Sequence, residues 1–188
     1  MFLVPFGLRE LPSDMVQRPS VVKDIIKKLK SKSNKVGLVG VRRRDILSIR
    51  GMGGLGKTVL AQAVAWNQSK QHHVIWLDIG QNPDCLSLLN ILIQELGGAV
   101  TYSNESDAQS WLRENTIDKD CFLILDDVWN MKHASLFDCL SGSCQLLITT
   151  RDADVVRGLK GLISLWELCS IVVSGENSHE SISQSVIV

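Results

Sequence analysis

The octapeptide GMGGLGKT, Gly51–Thr58, constrains this chain more than any other stretch. Its glycines let a backbone turn tightly and approach a ligand closely, and Lys57 with Thr58 completes the pattern G-x-x-x-x-G-K-[ST]. Such a loop wraps polyphosphate: successive N–H groups point inward, and the helix that follows presents its positive end. Lys57 reaches the β- and γ-phosphates as a mobile cation, and the Thr58 hydroxyl takes one place on Mg²⁺. Gly51, Met52, Gly53, Gly54, Leu55, Gly56, Lys57 and Thr58, with Val59 in the first helical turn, are the expected phosphate-binding residues. The motif needs a strand before it and a helix after it. Asp45–Arg50, DILSIR, reads as a short strand running into the glycines, and Thr58–Trp66 is rich in Ala, Leu and Val without a breaker.

A second polar pair follows an apolar run in FLILDDVW, Phe122–Trp129. Mg²⁺ is a hard cation that keeps several waters, so one carboxylate, Asp126, suffices to hold it. Asp127 is then free to orient or deprotonate an attacking water, and is the candidate catalytic residue; the alternative is that it caps the next turn. LLITTR, Leu146–Arg151, brings a guanidinium to a neighbouring strand end, where it can donate in a fork to a terminal phosphate or else pair with Asp152 or Asp154.

The remaining periodicities supply an α/β frame. Val22, Ile25, Ile26 and Leu29 mark a helix that Ser20 can cap, with its lysines mostly off the apolar stripe. Val36–Val41 is broken by Gly37 and Gly40 and carries no assignment. Val74–Ile79 is a strand, Leu86–Leu96 a helix ended by Gly97, and Asp107–Glu114 a short helix behind Ser106. Cys121–Leu125, Gln145–Thr149 and Ile163–Leu168 complete about five strands. Nearly continuous apolar strands alternating with helices predict a parallel sheet covered on both faces, with ligands beyond the carboxyl ends of the strands. Asp126, Asp127, Arg151 and the Gly51 loop should therefore meet on one edge.

At 188 residues and 45% hydrophobic, the chain can bury about two-thirds of its unfolded surface in a single domain. Lys plus Arg and Asp plus Glu are both 20, so net charge favours no nucleic-acid or membrane partner. Ten basic residues crowd Lys23–Arg50, and the Lys23–Lys35 run among them reads as the solvated face of a helix and its exposed loop. The five cysteines match neither a zinc ribbon nor a secreted disulfide framework, and reduced thiols in the cytoplasm fit best. MFLVPFGL lacks the basic start of a signal peptide, and no apolar run approaches a membrane span. His72 and His73 read as loop positions, and the tryptophans as core or half-buried anchors.

Taken in order, VQRP and its helix, ILSIRGMGGLGKTVLAQAVA, VIWLDIG, FLILDDVW and CQLLITTRDADV resemble the NB-ARC family of STAND P-loop NTPases, which includes plant disease-resistance proteins and animal apoptotic-protease activators. The VIWLDIG strand and the FDCLSGSCQLLITTRD run look nearer the apoptotic branch. The resemblance implies ADP or ATP with Mg²⁺ as ligand. It places Val16 and Arg18 at the adenine, Asp126 on Mg²⁺ and Arg151 as phosphate sensor. It implies a signalling switch that assembles with itself or with related NB-ARC proteins. The domain is expected over residues 19–168, preceded by a linker, 1–18, that carries the adenine-contacting segment. The family's helical and winged-helix segments are not read in this sequence, which points to a fragment or a short isoform. Residues 169–188, serine-rich and without apolar periodicity, are expected to be a disordered tail.

Overall fold

The computed structural model describes residues 5–11, 13, 19–30, 35–41, 56–157, 159, 163–171 and 179–187. Its elements are α1 (Pro19–Leu29), β1 (Lys35–Val41), α2 (Lys57–Gln68), β2 (His73–Asp78), α3 (Cys85–Glu95), α4 (Glu105–Asn115), β3 (Cys121–Val128), α5 (Met131–Phe137), β4 (Gln145–Thr150), α6 (Ala153–Arg157), β5 (Ile163–Ile171) and β6 (His179–Ile187). The sheet runs β2-β3-β4-β1-β5-β6. Its first four neighbouring pairs are parallel, and only β5 with β6 is antiparallel.

Why continuous apolar strands were required is visible in β3. Side chains alternate across a sheet, so an uninterrupted apolar run feeds two cores. Leu123 and Leu125 enter one core with Leu89, Leu92, Leu112 and Phe137 of α3, α4 and α5. Phe122 and Ile124 enter the other with Ile25 and Leu29 of α1 and Leu60 and Val64 of α2. The same alternation splits Ile75 and Leu77 from Val74 and Trp76 on β2, and Leu146 and Ile148 from Leu147 on β4. Along α1 the expected stripe holds: Ile25 and Leu29 are buried, while Lys23, Lys27 and Lys30 are exposed.

Five expectations change. Ser20, expected to cap the first helix, lies inside α1, which begins at Pro19. His73, expected in a loop, opens β2. Val36–Val41, unassigned because of its glycines, lies within β1, a strand flanked on both sides by β4 and β5. Gly37 there faces α6, where a Cβ would sit 2.7 Å from Val156, so the glycine permits close helix packing and does not break the strand. Asn104, not Ser106, caps α4 by accepting the Asp107 N–H at 2.9 Å. In place of a disordered tail, His179–Ile187 pairs along the whole of β5, from Ile171↔His179 to Ile163↔Ile187. A polar strand can satisfy an open sheet edge through its backbone without any apolar period, and composition carries no trace of that. The strand expected over Asp45–Arg50 lies outside the described residues.

At the opposite edge, residues 5–11 lie along β2. Phe6 donates its N–H to Val74 and accepts from Trp76 N–H, at 3.1 and 2.9 Å. Arg9 pairs with Asp78 at 3.0 Å, and its carbonyl accepts the Trp66 indole N–H at 2.9 Å.

Two left-handed glycines allow a direct test of the packing. At Gly142, φ is 68° and a Cβ would lie 2.1 Å from the Ile117 carbonyl oxygen; at Gly80, φ is 66° and no described atom stands within 4 Å. Gly142→Ala is expected to cost about 3 kcal/mol and Gly80→Ala about 1 kcal/mol in urea unfolding. Equal losses would contradict the close approach at Gly142.

Candidate functional site

The alternation that builds the two cores also aims the first aspartate. Asp126 has the parity of Phe122 and Ile124 and so faces α2, and Thr149 has the parity of Leu147 and faces the same way. Thr58 stands at the second position of α2, and its hydroxyl donates to Asp126 at 3.0 Å from Oδ1 and 3.1 Å from Oδ2. Thr149 Oγ1 donates to Asp126 Oδ1 at 2.5 Å. The carboxylate is only 7% exposed. Burial pushes its pKa above the ordinary 3.8, the two hydroxyls oppose that rise, and the nearby charges of Asp78 and Asp127 add to it.

Asp127 is aimed by a defect in the ladder. Leu125 pairs with Ile148 but Val128 pairs with Thr150, so β3 carries one more residue than β4 across this interval. The extra residue is taken up at Asp127, the one non-glycine with positive φ (54°) among the described residues, a conformation aspartate tolerates better than most side chains. Its N–H, turned out of the ladder, is accepted by Thr149 Oγ1 at 2.9 Å. The carboxylate points to the strand ends: Oδ1 lies 3.4 Å from Arg151 Nε, and Oδ2 accepts the Trp129 indole N–H at 3.0 Å. The Arg151 guanidinium sits 4.9 Å from the centre of the Trp129 ring. Asp127 does not cap the next helix, because Asn130 does so through Lys132 N–H at 2.8 Å. Asp154, a rival partner for Arg151, pairs with Arg157 at 2.9 Å.

Lys57 joins this group from the first position of α2. Burial lowers its pKa, repulsion from Arg151 lowers it further, and attraction to Asp127 and Asp126 pulls it back up. Gly56 precedes the helix at φ 68°, and the first turn of α2 holds no acidic residue of its own, so among the described residues the negative charge at its positive end comes from Asp126 and Asp127 across the edge. Gly56, Lys57, Thr58, Val59, Asp126, Asp127 and Arg151 thus come from three elements to one edge. Val16, Arg18, Gly51, Met52, Gly53, Gly54 and Leu55 lie outside the described residues.

Two residues of this edge were not legible beforehand. Thr149 reads as one of two threonines ending a buried strand, and only the pairing register shows its hydroxyl between Asp126 and Asp127. Trp129, expected as a core or half-buried anchor, is 41% exposed and packs on Arg151, whereas Trp76 is a true core residue at 4%.

A mostly parallel α/β sheet in which a Gly-Lys-Thr helix start faces a strand-end aspartate is the phosphate-binding architecture of a P-loop NTPase. The chain belongs to the NB-ARC domain family of STAND-type P-loop NTPases, whose sequence profile it matches over residues 18–170. It is 32% identical over 137 residues to disease resistance protein RGA2 of Solanum bulbocastanum, covering 68% of this chain and 14% of that protein. It is 30% identical over 169 residues to apoptotic protease-activating factor 1 of Homo sapiens, covering 82% of this chain and 13% of that protein. The chain therefore corresponds to about one-seventh of the length of these relatives. No helix among the described residues is long and apolar enough to cross a membrane.

The buried carboxylate makes a stability prediction of definite sign. A carboxyl whose folded pKa lies above 3.8 opposes folding when ionised, so the cost is absent below that range and complete once pH exceeds the raised value. Asp126→Asn is thus expected to stabilise the nucleotide-free chain by about 1 kcal/mol at neutral pH, and by progressively less as pH falls toward 4. Thermal melts of both proteins across this range check it; a destabilised variant at neutral pH would show that the two hydroxyls outweigh burial.

Proposed function

We propose that this domain binds ADP or ATP together with Mg²⁺ and forms the nucleotide-binding core of a signalling switch in an apoptosis- or immunity-type regulator. The observation that carries the reading is the contact of Thr58 with Asp126, at 3.0 Å, beside Lys57 at the start of α2. These are two oxygen ligands of the kind Mg²⁺ takes from protein when phosphates and water fill its other positions. Thr58 and Asp126 would hold the ion, which when bound neutralises phosphate charge. Thr149 keeps the Asp126 carboxylate turned toward α2; in this reading Lys57 would draw the phosphates to the helix start and Arg151, beside Asp127, would sense a terminal phosphate. Family resemblance assigns the Gly51–Leu55 loop to the phosphates and Val16 with Arg18 to the adenine. Placement in the cytoplasm, and assembly with a second copy or a related NB-ARC protein, belong to the same proposal.

A Mg²⁺-dependent ATPase is the second reading, favoured by the nearness of Asp127, 40% exposed, to Arg151. There Asp127 would orient a water for attack. Both of its oxygens are engaged, by Arg151 and Trp129, which supports binding and sensing over rapid turnover. Steady-state phosphate release that disappears in Asp127→Asn would establish the ATPase. A purified chain that neither carries nor takes up nucleotide would instead make it a nucleotide-free assembly module.

Lys57→Ala is expected to weaken both ADP and ATP roughly tenfold or more, the loss of a charge-assisted contact, while circular dichroism stays unchanged. Asp126→Ala should weaken Mg²⁺-dependent ATP binding more than metal-free ADP binding, because its part is played through the ion. Titration with fluorescent nucleotides, and chromatography of nucleotide released on denaturation, measure both. Wild-type ADP affinity in a folded Lys57→Ala variant would overturn the phosphate site.

A further inference from the structure

We propose that Trp129 is a positioning residue that sets the preference for nucleoside triphosphate over diphosphate, by holding the Arg151 guanidinium and the Asp127 carboxylate in one cluster at the ends of β3 and β4. The proposal rests on the nucleotide-binding reading of the site. A large indole 41% exposed at a strand end belongs to neither core, yet the two residues it touches, Asp127 and Arg151, are also paired with each other. The indole N–H donates to Asp127 Oδ2 at 3.0 Å, Asp127 Oδ1 faces Arg151 Nε at 3.4 Å, and the guanidinium lies 4.9 Å from the ring centre. The left-handed bulge at Asp127 produces this closure, because it turns the carboxylate back toward a tryptophan two positions on.

The cluster has two effects on a phosphate ligand. Arginine is rich in rotamers, and a side chain already held by a ring face and a counter-ion gives up less freedom when it meets a ligand. Among the described residues Arg151 forms its ion pair on the Nε side, with Asp127, a geometry that leaves the terminal fork suited to an oxyanion. Asp127 by itself would repel a terminal phosphate. The indole N–H and the guanidinium together absorb that charge. Both effects act where a third phosphoryl group would stand, so they discriminate triphosphate from diphosphate without strengthening the grip of Lys57 and Thr58 on the phosphates common to both.

The test compares Trp129→Ala and Trp129→Phe with wild type by titrating ADP and a non-hydrolysable ATP analogue in Mg²⁺. Trp129→Ala is expected to lower the ratio of ATP-analogue to ADP affinity about fivefold, the scale of a lost cation–π contact, with ADP affinity unchanged. Trp129→Phe keeps a ring but loses the N–H donor, and should recover part of that ratio. An unchanged ratio in a folded Trp129→Ala variant, an equal loss of both nucleotides, or a Phe variant no better than Ala would each overturn the proposal. A second measurement needs no nucleotide: the indole N–H resonance of Trp129, assigned by its absence in Trp129→Phe, should shift in Asp127→Asn. A resonance that does not move refutes the cluster itself. Where the resonance shifts but wild type binds neither nucleotide, the nucleotide reading has failed and the preference falls with it, while the cluster stands.

Discussion

A carboxylate cannot be buried at the end of an apolar strand unless something donates to it, and in this protein the donors are the hydroxyls of Thr58 and Thr149. That requirement ties together three elements that are distant in sequence. Thr58 brings the start of α2 against β3, and Thr149 binds β4 to β3 at the point where their ladder slips by one residue. The Thr149 oxygen acts twice, donating to Asp126 and accepting from the Asp127 N–H, so it satisfies both the buried charge and the amide displaced by the bulge. Without it the bulge would leave a polar backbone group unpaired beside a desolvated charge, and the two aspartates would lose their separate directions.

The edge that results is poor as a piece of folding and good as a receptor. Asp126 and Lys57 are each held where burial disfavours the charged form, and Arg151 crowds Lys57 with a like charge. Opposite charges lie close by but do not fully compensate. Such local conflict is what a structure shows where a ligand is meant to complete the electrostatics. An anion would relieve Lys57 at the start of α2, and a cation would relieve Asp126. The family match and the relatives of both plant and animal origin agree with a site built for a charged nucleotide.

The alternation in β2, β3 and β4 is the bridge between core and site. Because each strand divides its side chains between two helical layers, the residue that follows the last core position is committed to a face before any ligand is considered. Asp126 follows the α2 side, where Thr58 waits, while Asp127 is turned by the bulge to the strand ends. Helices α5 and α6, too short for apolar periodicity to mark them, had no clear signature in the chain and are placed by the core into which Phe137 and Val156 pack.

The chain by itself determined its class and pointed to the chemistry proposed for it. The phosphate-loop signature, the paired aspartates after an apolar run and the strand-end arginine are local patterns, and each demands the same strand-then-loop or strand-then-turn setting. Several other features were decided only by the tertiary structure: the use of glycine-broken Lys35–Val41 as an inner strand, the pairing of a serine-rich segment along β5, the hydroxyl of Thr149 between two carboxylates, and the exposed Trp129 over Arg151. The physical reason is common to all four. Pairing register, a one-residue slip and the contacts of side chains from different strands depend on which backbones lie side by side, and no property of a single segment encodes its neighbour.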